Sequence, residues 1–163
     1  MKPIYIYPGS FNPPTYGHVE IAKRIANLVE EVTVICSSNP DKEDSWFTPE
    51  ECKKMWQSYN LCPNIKVKTF EESINKNADL KNFVMVRGIR DDKDLDYEKE
   101  VVLFNYKNFG IVNYFYMISD ENYKHISSTS ARKLAENLDV SGLKTQVSDF
   151  IADKMLMKFI KKD

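Results

Sequence analysis

The chain has 163 residues, of which 42% are hydrophobic and 29% are charged. This length predicts a single domain spanning residues 1–163, and the composition is typical of a globular protein, which excludes disordered and coiled-coil chains. With 23 Lys and Arg against 24 Asp and Glu, the formal net charge is −1. Such a balance provides no bulk attraction to nucleic acid or to an anionic membrane, so neither is an expected partner.

The sequence predicts no membrane-spanning helix, no secretory leader and no metal site. The apolar runs are far shorter than the roughly 20 residues that a membrane-spanning helix needs, and the N-terminal pattern does not predict a secretory leader. The three cysteines, Cys36, Cys52 and Cys62, form no CxxC pair, and the two histidines, His18 and His125, are too few for a zinc cage. We therefore expect a reduced, soluble, cytoplasmic protein.

Short β-rich runs alternate with helical patterns along the chain. β-branched and aromatic residues predict five strands, at residues 4–7, 31–36, 65–69, 83–86 and 111–118. Apolar spacing of three and four residues predicts helices, at residues 17–29, from 49 onward, 95–108, 128–137 and 148–160. Thr48, Pro49 and Glu51 have the pattern of an N-cap, a first-turn proline and a capping box, and Gly110 is a C-terminal stop signal.

This alternation predicts the fold class. Strands separated by helices form βαβ units whose strands pair in parallel. The predicted fold is therefore α/β: a Rossmann-like, doubly wound five-stranded parallel sheet with helices on both faces and a C-terminal helix. In open sheets of this kind, ligands bind beyond the carboxyl ends of the strands. Candidate functional residues are thus those that follow Tyr7, Cys36, Val86 and Ile118.

The loops after the first two predicted strands offer an anion site and a cation. Residues 7–18 lead into a helix with Gly17 and His18 in its first turn, where N–H groups and the helix dipole favour anions. His18 can donate to a phosphate oxygen there, although a histidine that only caps the helix is the plainer interpretation. Lys42 is the only cation of residues 37–44, and by itself it is more simply a solvated surface lysine.

The next two strand-end loops also suit phosphate. Arg87 and Arg90 flank a glycine, and guanidinium groups match phosphate oxygens bidentately; alternatively, they neutralise the carboxylates of residues 91–98. The hydroxyls of residues 127–130 either cradle a phosphate chain or only cap a helix, with Arg132 close behind them. Four such loops together predict one polyphosphate site at one edge of the sheet.

Other phosphate-binding and catalytic patterns are not found in the sequence. It contains neither a Walker A motif nor a GxGxxG fingerprint, so the predicted site is neither a P-loop nor a dinucleotide-binding turn. No Ser–His–Asp or Cys–His arrangement is evident, and a covalent nucleophile is therefore not expected.

Two motifs resemble those of a known superfamily. Thr15 with Gly17 and His18 resembles the T/HxGH signature, and residues 126–132 resemble the ISSTxxR-type signature, of the nucleotidyltransferases related to class I aminoacyl-tRNA synthetases. A third stretch, residues 87–105, is similar to the RGLR…DxxYE…N pattern of the phosphopantetheine adenylyltransferase family within that superfamily. The resemblance extends from Ile4 to at least Asp139.

The resemblance implies a reaction. The adenylyl group of ATP passes to 4′-phosphopantetheine by direct in-line attack without a covalent intermediate, giving dephospho-coenzyme A and pyrophosphate. It also implies Mg²⁺ carried by the nucleotide rather than by a protein metal site, coenzyme A as an inhibitor that occupies the site, and a homohexamer. Two alternatives remain: a nicotinate or nicotinamide mononucleotide adenylyltransferase, which usually has histidine where this chain has Thr15, and a non-catalytic adenine-nucleotide-binding module.

Residue roles follow from the resemblance by position. His18 is implied to stabilise the transition state at the α-phosphate, Lys42 to contact the phosphates of both substrates, and Ser10 to orient the acceptor phosphate. The phosphopantetheine side is assigned to Ser10, Lys42, Ile74 and Arg87. The ATP side is assigned to Ser10, Phe11, His18, Gly88, Ile89, Arg90, Glu98, Tyr123, Lys124, His125, Ile126, Ser127, Ser128 and Thr129.

The sequence departs from the family pattern at several positions. Asn12 stands where the family has an acidic residue, Cys52 where many members have arginine, and Ala131 where valine is usual. Residues 71–81 are more polar than the corresponding helix of the family. None of these changes removes a catalytic group, and they bear on the pantetheine contacts and on subunit packing.

Overall fold

A computed structural model describes residues 2–38, 45–73 and 80–160. Five strands are present in these ranges: β1 (Ile4–Gly9), β2 (Val32–Cys36), β3 (Ile65–Thr69), β4 (Phe83–Ile89) and β5 (Asn113–Ile118). The helices are α1 (Tyr16–Ala26), α2 (Pro49–Gln57), α3 (Phe70–Ser73), α4 (Asp92–Phe109), α5 (Ser128–Glu136), α6 (Val140–Lys144) and α7 (Asp149–Ile160).

The strands form one parallel sheet in the order β3-β2-β1-β4-β5. The chain therefore moves outward from β1 to β3, returns to the centre with β4, and continues outward on the other side to β5. The predicted doubly wound fold is confirmed, with helices on both faces and α7 at the C-terminal end. The reversal of direction between β1 and β4 is the position where folds of this kind bind ligands.

The two faces of the sheet bury different amounts of apolar surface. Successive residues of a strand point to opposite faces. Tyr7, Val34 and Val86 accordingly belong to a large core that includes side chains of α1, α2, α5 and α7, whereas their neighbours Ile6 and Met85 belong to a small second cluster. The face bearing that smaller cluster is the one on which α4 lies, since Asn105 of α4 donates to the sulfur of Met85 at 3.2 Å.

Helix ends follow the predicted capping chemistry. The N–H of Glu51 donates to Thr48 Oγ1 at 3.3 Å, and the N–H of Thr48 donates to Glu51 Oε2 at 2.8 Å, so the predicted capping box is present. Gly110 ends α4 with a φ of 68°, in the left-handed region that glycine adopts without a steric penalty.

Several element boundaries differ from the prediction. β4 is three residues longer than predicted, because Arg87, Gly88 and Ile89 pair with residues 116–118 of β5 instead of forming a loop. The short helices α3 and α6 were not predicted, since each is too short to display helical periodicity. Among the described residues, no helix combines the length and the apolar character needed to span a membrane.

Candidate active site

A crevice opens between β1 and β4 at the carboxyl edge of the sheet. The pairing of these strands runs from Ile4 with Phe83 to Ile6 with Met85, whereas β4 stays paired with β5 as far as Ile89. Beyond Ile6, the guanidinium of Arg87 bridges the gap by donating to the carbonyl of Pro8 at 3.2 Å. The loops that follow β1, β4 and β5 therefore surround the topological switch point.

His18 lies in the first turn of α1, beside this crevice. The backbone N–H of Thr15 donates to His18 Nδ1 at 3.0 Å, and the Thr15 hydroxyl lies at the same distance from that atom. A backbone N–H can only donate, so Nδ1 is the acceptor and the proton of the neutral ring is on Nε2. The arrangement provides an imidazole N–H donor at a helix N-terminus, where negative charge is stabilised.

The loop between β1 and α1 is held through three successive carbonyl oxygens. The carbonyl of Asn12 accepts from Arg132 at 2.6 Å, that of Pro13 from Ser128 at 2.8 Å, and that of Pro14 from Tyr59 at 2.9 Å. Two of these donors belong to α5, so the first and fourth strand-end loops are joined directly. The sequence contains no local signal for these bonds, because each donor is more than 40 residues from its acceptor.

The Asn12 side chain connects the same loop to the segment before α2. Its Oδ1 accepts from the N–H groups of Trp46 and Phe47, at 2.8 and 3.1 Å, and its Nδ2 donates to the Phe47 carbonyl at 2.6 Å. The same nitrogen lies 3.8 Å from Cys52 Sγ. Two of the positions at which the sequence departs from the family pattern are thus neighbours in space.

Arg87 of β4 forms an ion pair with Glu98 of α4. Its Nε lies 2.9 Å from each carboxylate oxygen and its second terminal nitrogen 2.6 Å from Oε1. The carboxylate is almost completely buried, with 5% of its side chain exposed. Burial lowers the pKa of Arg87, but hydrogen bonding to Glu98 and its charge outweigh that effect and raise the pKa above its ordinary value.

Arg90 makes a similar fork with Asp94. Its Nε and NH2 groups donate to the two carboxylate oxygens at 2.9 and 3.1 Å. Burial raises the pKa of Asp94, but the bonds and charge of Arg90 outweigh it and leave the pKa below the usual value. Arg87 in β4 and Arg90 just after it therefore both have carboxylate partners, as the alternative interpretation of the sequence expected.

The loop after β5 packs on the start of α1. A methyl group built on Gly17 would lie 3.5 Å from the Ile126 carbonyl and 3.7 Å from that of Tyr123, so the two backbone segments are close. Ser127 caps α5 by accepting from the N–H of Ser130 at 3.0 Å, and Thr129 Oγ1 accepts from Arg132 at 3.3 Å. These hydroxyls, with that of Ser128, therefore organise the two loops.

The other predicted site residues occupy different surroundings. Ser10 is half-buried directly after β1, His125 is exposed, and Lys124 pairs with Glu121. Gly88 allows close packing of α1, because an added methyl group would lie 3.3 Å from Ile21 Cγ1. Lys42 and Ile74 lie outside the described residues.

Comparison with known proteins identifies the family. A family model described as cytidylyltransferase-like matches residues 6–134. The phosphopantetheine adenylyltransferase of Aquifex aeolicus is 36% identical over 163 residues, covering 94% of each chain, and that of Corynebacterium efficiens is 34% identical over 157 residues, covering 94% of this chain and 96% of its own. The chain belongs to the phosphopantetheine adenylyltransferase family. The resemblance noted in the sequence is thereby confirmed.

Solved structures of other adenylyltransferases share the fold. The nicotinic acid mononucleotide adenylyltransferase of Plasmodium falciparum, complexed with NaAD, superposes with a TM-score of 0.65 at 18% identity, covering 98% of this chain and 96% of its own. A putative nicotinate-nucleotide adenylyltransferase from Vibrio parahaemolyticus superposes with a TM-score of 0.58 at 17% identity, covering 96% of this chain and 93% of its own. At these identities, the likeness extends to the fold alone.

Proposed function

We propose that this chain transfers the adenylyl group of ATP to 4′-phosphopantetheine, releasing dephospho-coenzyme A and pyrophosphate. Family membership over 94% of the chain supports the reaction and the acceptor. The observation that carries the mechanism is the Thr15–His18 hydrogen bond, because it leaves the imidazole proton on Nε2 at the N-terminus of α1, beside the crevice. That donor suits the charge that develops on the oxygens of the transferred phosphate.

The proposed chemistry is one in-line displacement. A phosphate oxygen of the acceptor forms a bond to the α-phosphorus of ATP, while the bond from that phosphorus to the bridging oxygen breaks and its electrons leave with pyrophosphate. The attacking phosphate is already ionised, so no general base is needed. The protein contributes position and electrostatic stabilisation. A single preorganised donor such as His18 is worth about 2.7–4 kcal/mol of barrier.

The acceptor side of the proposed site is cationic. We assign the acceptor phosphate to Ser10, Arg87 and Lys42, and the pantetheine arm to the region of Ile74. Arg87 keeps N–H groups beyond those that meet Glu98 and Pro8, since a guanidinium has five donors. Glu98 fixes the orientation of that fork, so the carboxylate acts on the substrate through Arg87.

The ATP side of the proposed site combines backbone, hydroxyl and charged groups. We assign the nucleotide to the ends of β4 and β5, to α4 and to the loop that enters α5, namely Gly88, Ile89, Arg90, Glu98 and residues 123–129, together with Ser10, Phe11 and His18. Phe11 as a whole is 4% exposed.

Mg²⁺ fits this site as part of the ATP complex. The helix starts of α1 and α5 present backbone N–H groups, which suit the phosphate oxygens that carry the ion. Mg²⁺ is commonly held by substrate phosphates and water. When bound, it neutralises charge on the phosphate chain, while His18 and the arginines act on the oxygens that remain.

The surface of α4 supports a homo-oligomer. The buried residues of this helix are polar, Glu98 and Asn105. Its large apolar residues are exposed by 44–60%: Leu95, Tyr97, Leu103, Phe104, Tyr106 and Phe109. Exposure of this many large apolar side chains on one helix is typical of a contact surface in a soluble protein. We propose that a second copy of the chain covers this surface, in the hexamer that the family resemblance implies. Two further proposals rest on the same resemblance: coenzyme A inhibits the enzyme, and the enzyme is located in the cytoplasm.

Light scattering of the purified chain tests the assembly. A mass equal to several chains is expected, and Phe104→Lys should lower it because a charge would be buried in the contact. Leu28→Lys is the matched control, since Leu28 is 65% exposed at the end of α1. If the wild-type chain has the mass of a monomer, the proposal that it assembles is wrong.

Pyrophosphate release tests the reaction. The purified chain is assayed with ATP and Mg²⁺ and with 4′-phosphopantetheine, nicotinate mononucleotide or nicotinamide mononucleotide as the acceptor. Release with phosphopantetheine alone is expected. Release with a mononucleotide alone would transfer the assignment to the mononucleotide enzymes, and ATP binding without release would favour the non-catalytic module.

A further inference from the structure

Phe11 adopts an unusual backbone conformation next to the proposed catalytic histidine. Its φ is 44°, in the left-handed region that bulky residues rarely adopt. Such a conformation persists only where the surrounding structure holds it. Here the residue is 4% exposed, and its ring makes edge-to-face contacts with three aromatic rings: Tyr7 at 5.3 Å, Trp56 at 5.1 Å and His18 at 5.1 Å between centroids.

The contact with His18 complements the hydrogen bond from Thr15. The Thr15 N–H and the Thr15 hydroxyl both lie 3.0 Å from Nδ1, so they hold that side of the imidazole. The Phe11 ring stands at 82° to the imidazole plane, in the edge-to-face geometry that aromatic pairs prefer. The two contacts together fix both the position of Nδ1 and the plane of the ring, and so the direction in which Nε2 donates.

Gly9 provides the space that the Phe11 ring occupies. A methyl group built on Gly9 would lie 2.8 Å from Phe11 Cζ and 2.9 Å from Cε1, closer than van der Waals contact allows. The φ of Gly9 lies outside the left-handed region, so the backbone itself would accept alanine. The requirement for glycine at this position therefore comes from the ring of Phe11.

We propose that Phe11 is a positioning residue for adenylyl transfer, which acts by fixing the plane of the His18 imidazole and which needs the absence of a side chain at Gly9 to do so. This inference rests on the function proposed above for His18. It gives the Phe11 side chain a role distinct from nucleotide contact. A ring that served only to fill the core would support stability without affecting the orientation of His18.

The first test compares Phe11→Leu with the wild-type chain. Leucine lacks the outer ring atoms that meet His18 and Gly9, and the chain has only two histidines, so the imidazole protons of His18 can be assigned by NMR after His125→Ala. Loss of the Phe11 ring current moves the His18 ring signals whether or not the imidazole turns, so the readout is the set of nuclear Overhauser contacts made by the His18 ring protons. We expect these contacts to change in Phe11→Leu. We also expect kcat to fall by about 10-fold or more, since misorientation lowers rate, with KM for ATP changed by less than about 3-fold.

Phe115→Leu provides the matched control. Phe115 is a partly buried phenylalanine of β5 that packs on the same large core, and its replacement also removes apolar surface from that core. Thermal melting of both variants measures the loss of stability. Unchanged nuclear Overhauser contacts of the His18 ring in Phe11→Leu, or an equal loss of kcat in Phe115→Leu, would overturn the proposal. The NMR result requires no substrate, so it remains decisive if the proposed reaction is wrong.

Gly9→Ala provides a second test that keeps Phe11. The added methyl group should displace the ring, shift the His18 signals and lower kcat. In Phe11→Leu, where the clashing atoms are gone, Gly9→Ala should then have little additional effect. An equal loss from Gly9→Ala in both backgrounds would mean that Gly9 serves ligand approach alone and would contradict the proposal. If Phe11→Leu is too unstable to assay, Gly9→Ala alone still decides: unchanged His18 signals together with unchanged kcat would overturn the proposal.

Discussion

The backbone N–H of Thr15 donates to Nδ1 of His18 at 3.0 Å, and this bond determines which imidazole nitrogen can donate to a substrate. Thr15 is the N-cap of α1, and His18 is the third residue of that helix. The cap of the helix and the protonation pattern of the histidine are therefore set by one interaction. Three residues of sequence separation are enough to establish it, because the helical turn brings the two groups together.

Replacement of His18 distinguishes its two ring nitrogens. His18→Ala should lower turnover by about 100- to 1,000-fold while ATP affinity changes little, as for the loss of one preorganised donor. His18→Gln should retain more turnover than His18→Asn, because the glutamine amide reaches the position of Nε2 and the asparagine amide that of Nδ1. Steady-state kinetics with both substrates measures this. Near-normal turnover in His18→Ala would exclude the proposed role.

Arg87→Ala should raise the KM for the acceptor more than the KM for ATP. It should also lower the free energy of unfolding by up to about 3 kcal/mol, because it leaves Glu98 buried without its partner. Adding Glu98→Gln removes the uncompensated charge, so the double variant should recover stability but keep the raised KM. Urea unfolding and kinetics separate the two effects. A larger rise in the KM for ATP would contradict the assignment of Arg87.

The Asn12→Asp variant tests the contact between Asn12 and Cys52, which are 40 residues apart in the chain. A carboxylate oxygen would replace the Nδ2 that donates to the Phe47 carbonyl at 2.6 Å, which should cost about 1–3 kcal/mol of unfolding free energy. Because Cys52 lies 3.8 Å away, Cys52→Arg should be less destabilising in the Asn12→Asp background than in the wild-type chain. Asn60→Asp, at an exposed position, is the control and should have little effect. Strictly additive losses would argue against the coupling.

The cysteines should differ in reactivity. Burial raises the pKa of the Cys52 thiol to about 12 and raises that of Cys36 further, so neither forms the reactive thiolate near neutral pH. A thiol reagent should label the partly exposed Cys62 rapidly, and all three cysteines only after denaturation. Rapid labelling of all three in the native chain would contradict the buried positions of Cys36 and Cys52.

The same pKa shifts predict lower stability in alkaline solution. A thiol whose pKa is raised by folding contributes stability that is fully present below its unfolded pKa of about 8.5 and is lost as the pH rises toward the folded value. The free energy of unfolding should therefore fall from about pH 8.5 upward. The free energy of unfolding of the Cys52→Ala variant should fall less steeply over that pH range. Equal slopes for the two proteins would exclude Cys52 as a contributor.

Local patterns determined the fold class and most of the helix and strand positions. The alternation of strands and helices predicts a parallel sheet, and the capping box at Thr48 and the stop at Gly110 depend only on groups within one turn of chain. The T/HxGH and ISSTxxR signatures predicted the superfamily for the same reason, since each is a short segment, and the pattern of residues 87–105 predicted the family within it. Ligand contacts of Lys42 and Ile74 remain predictions, as do those of the other assigned residues.

Only the tertiary structure decided how the site is assembled. The extension of β4 through Ile89 depends on pairing with β5, and the bonds from Tyr59, Ser128 and Arg132 to the first loop join groups that are distant along the chain. Sequence patterns report local periodicity, whereas hydrogen-bond partners are chosen by three-dimensional packing. For that reason the sequence determined which loops meet at the carboxyl edge, and only the folded chain determined which side chains face a ligand and which hold one loop against another.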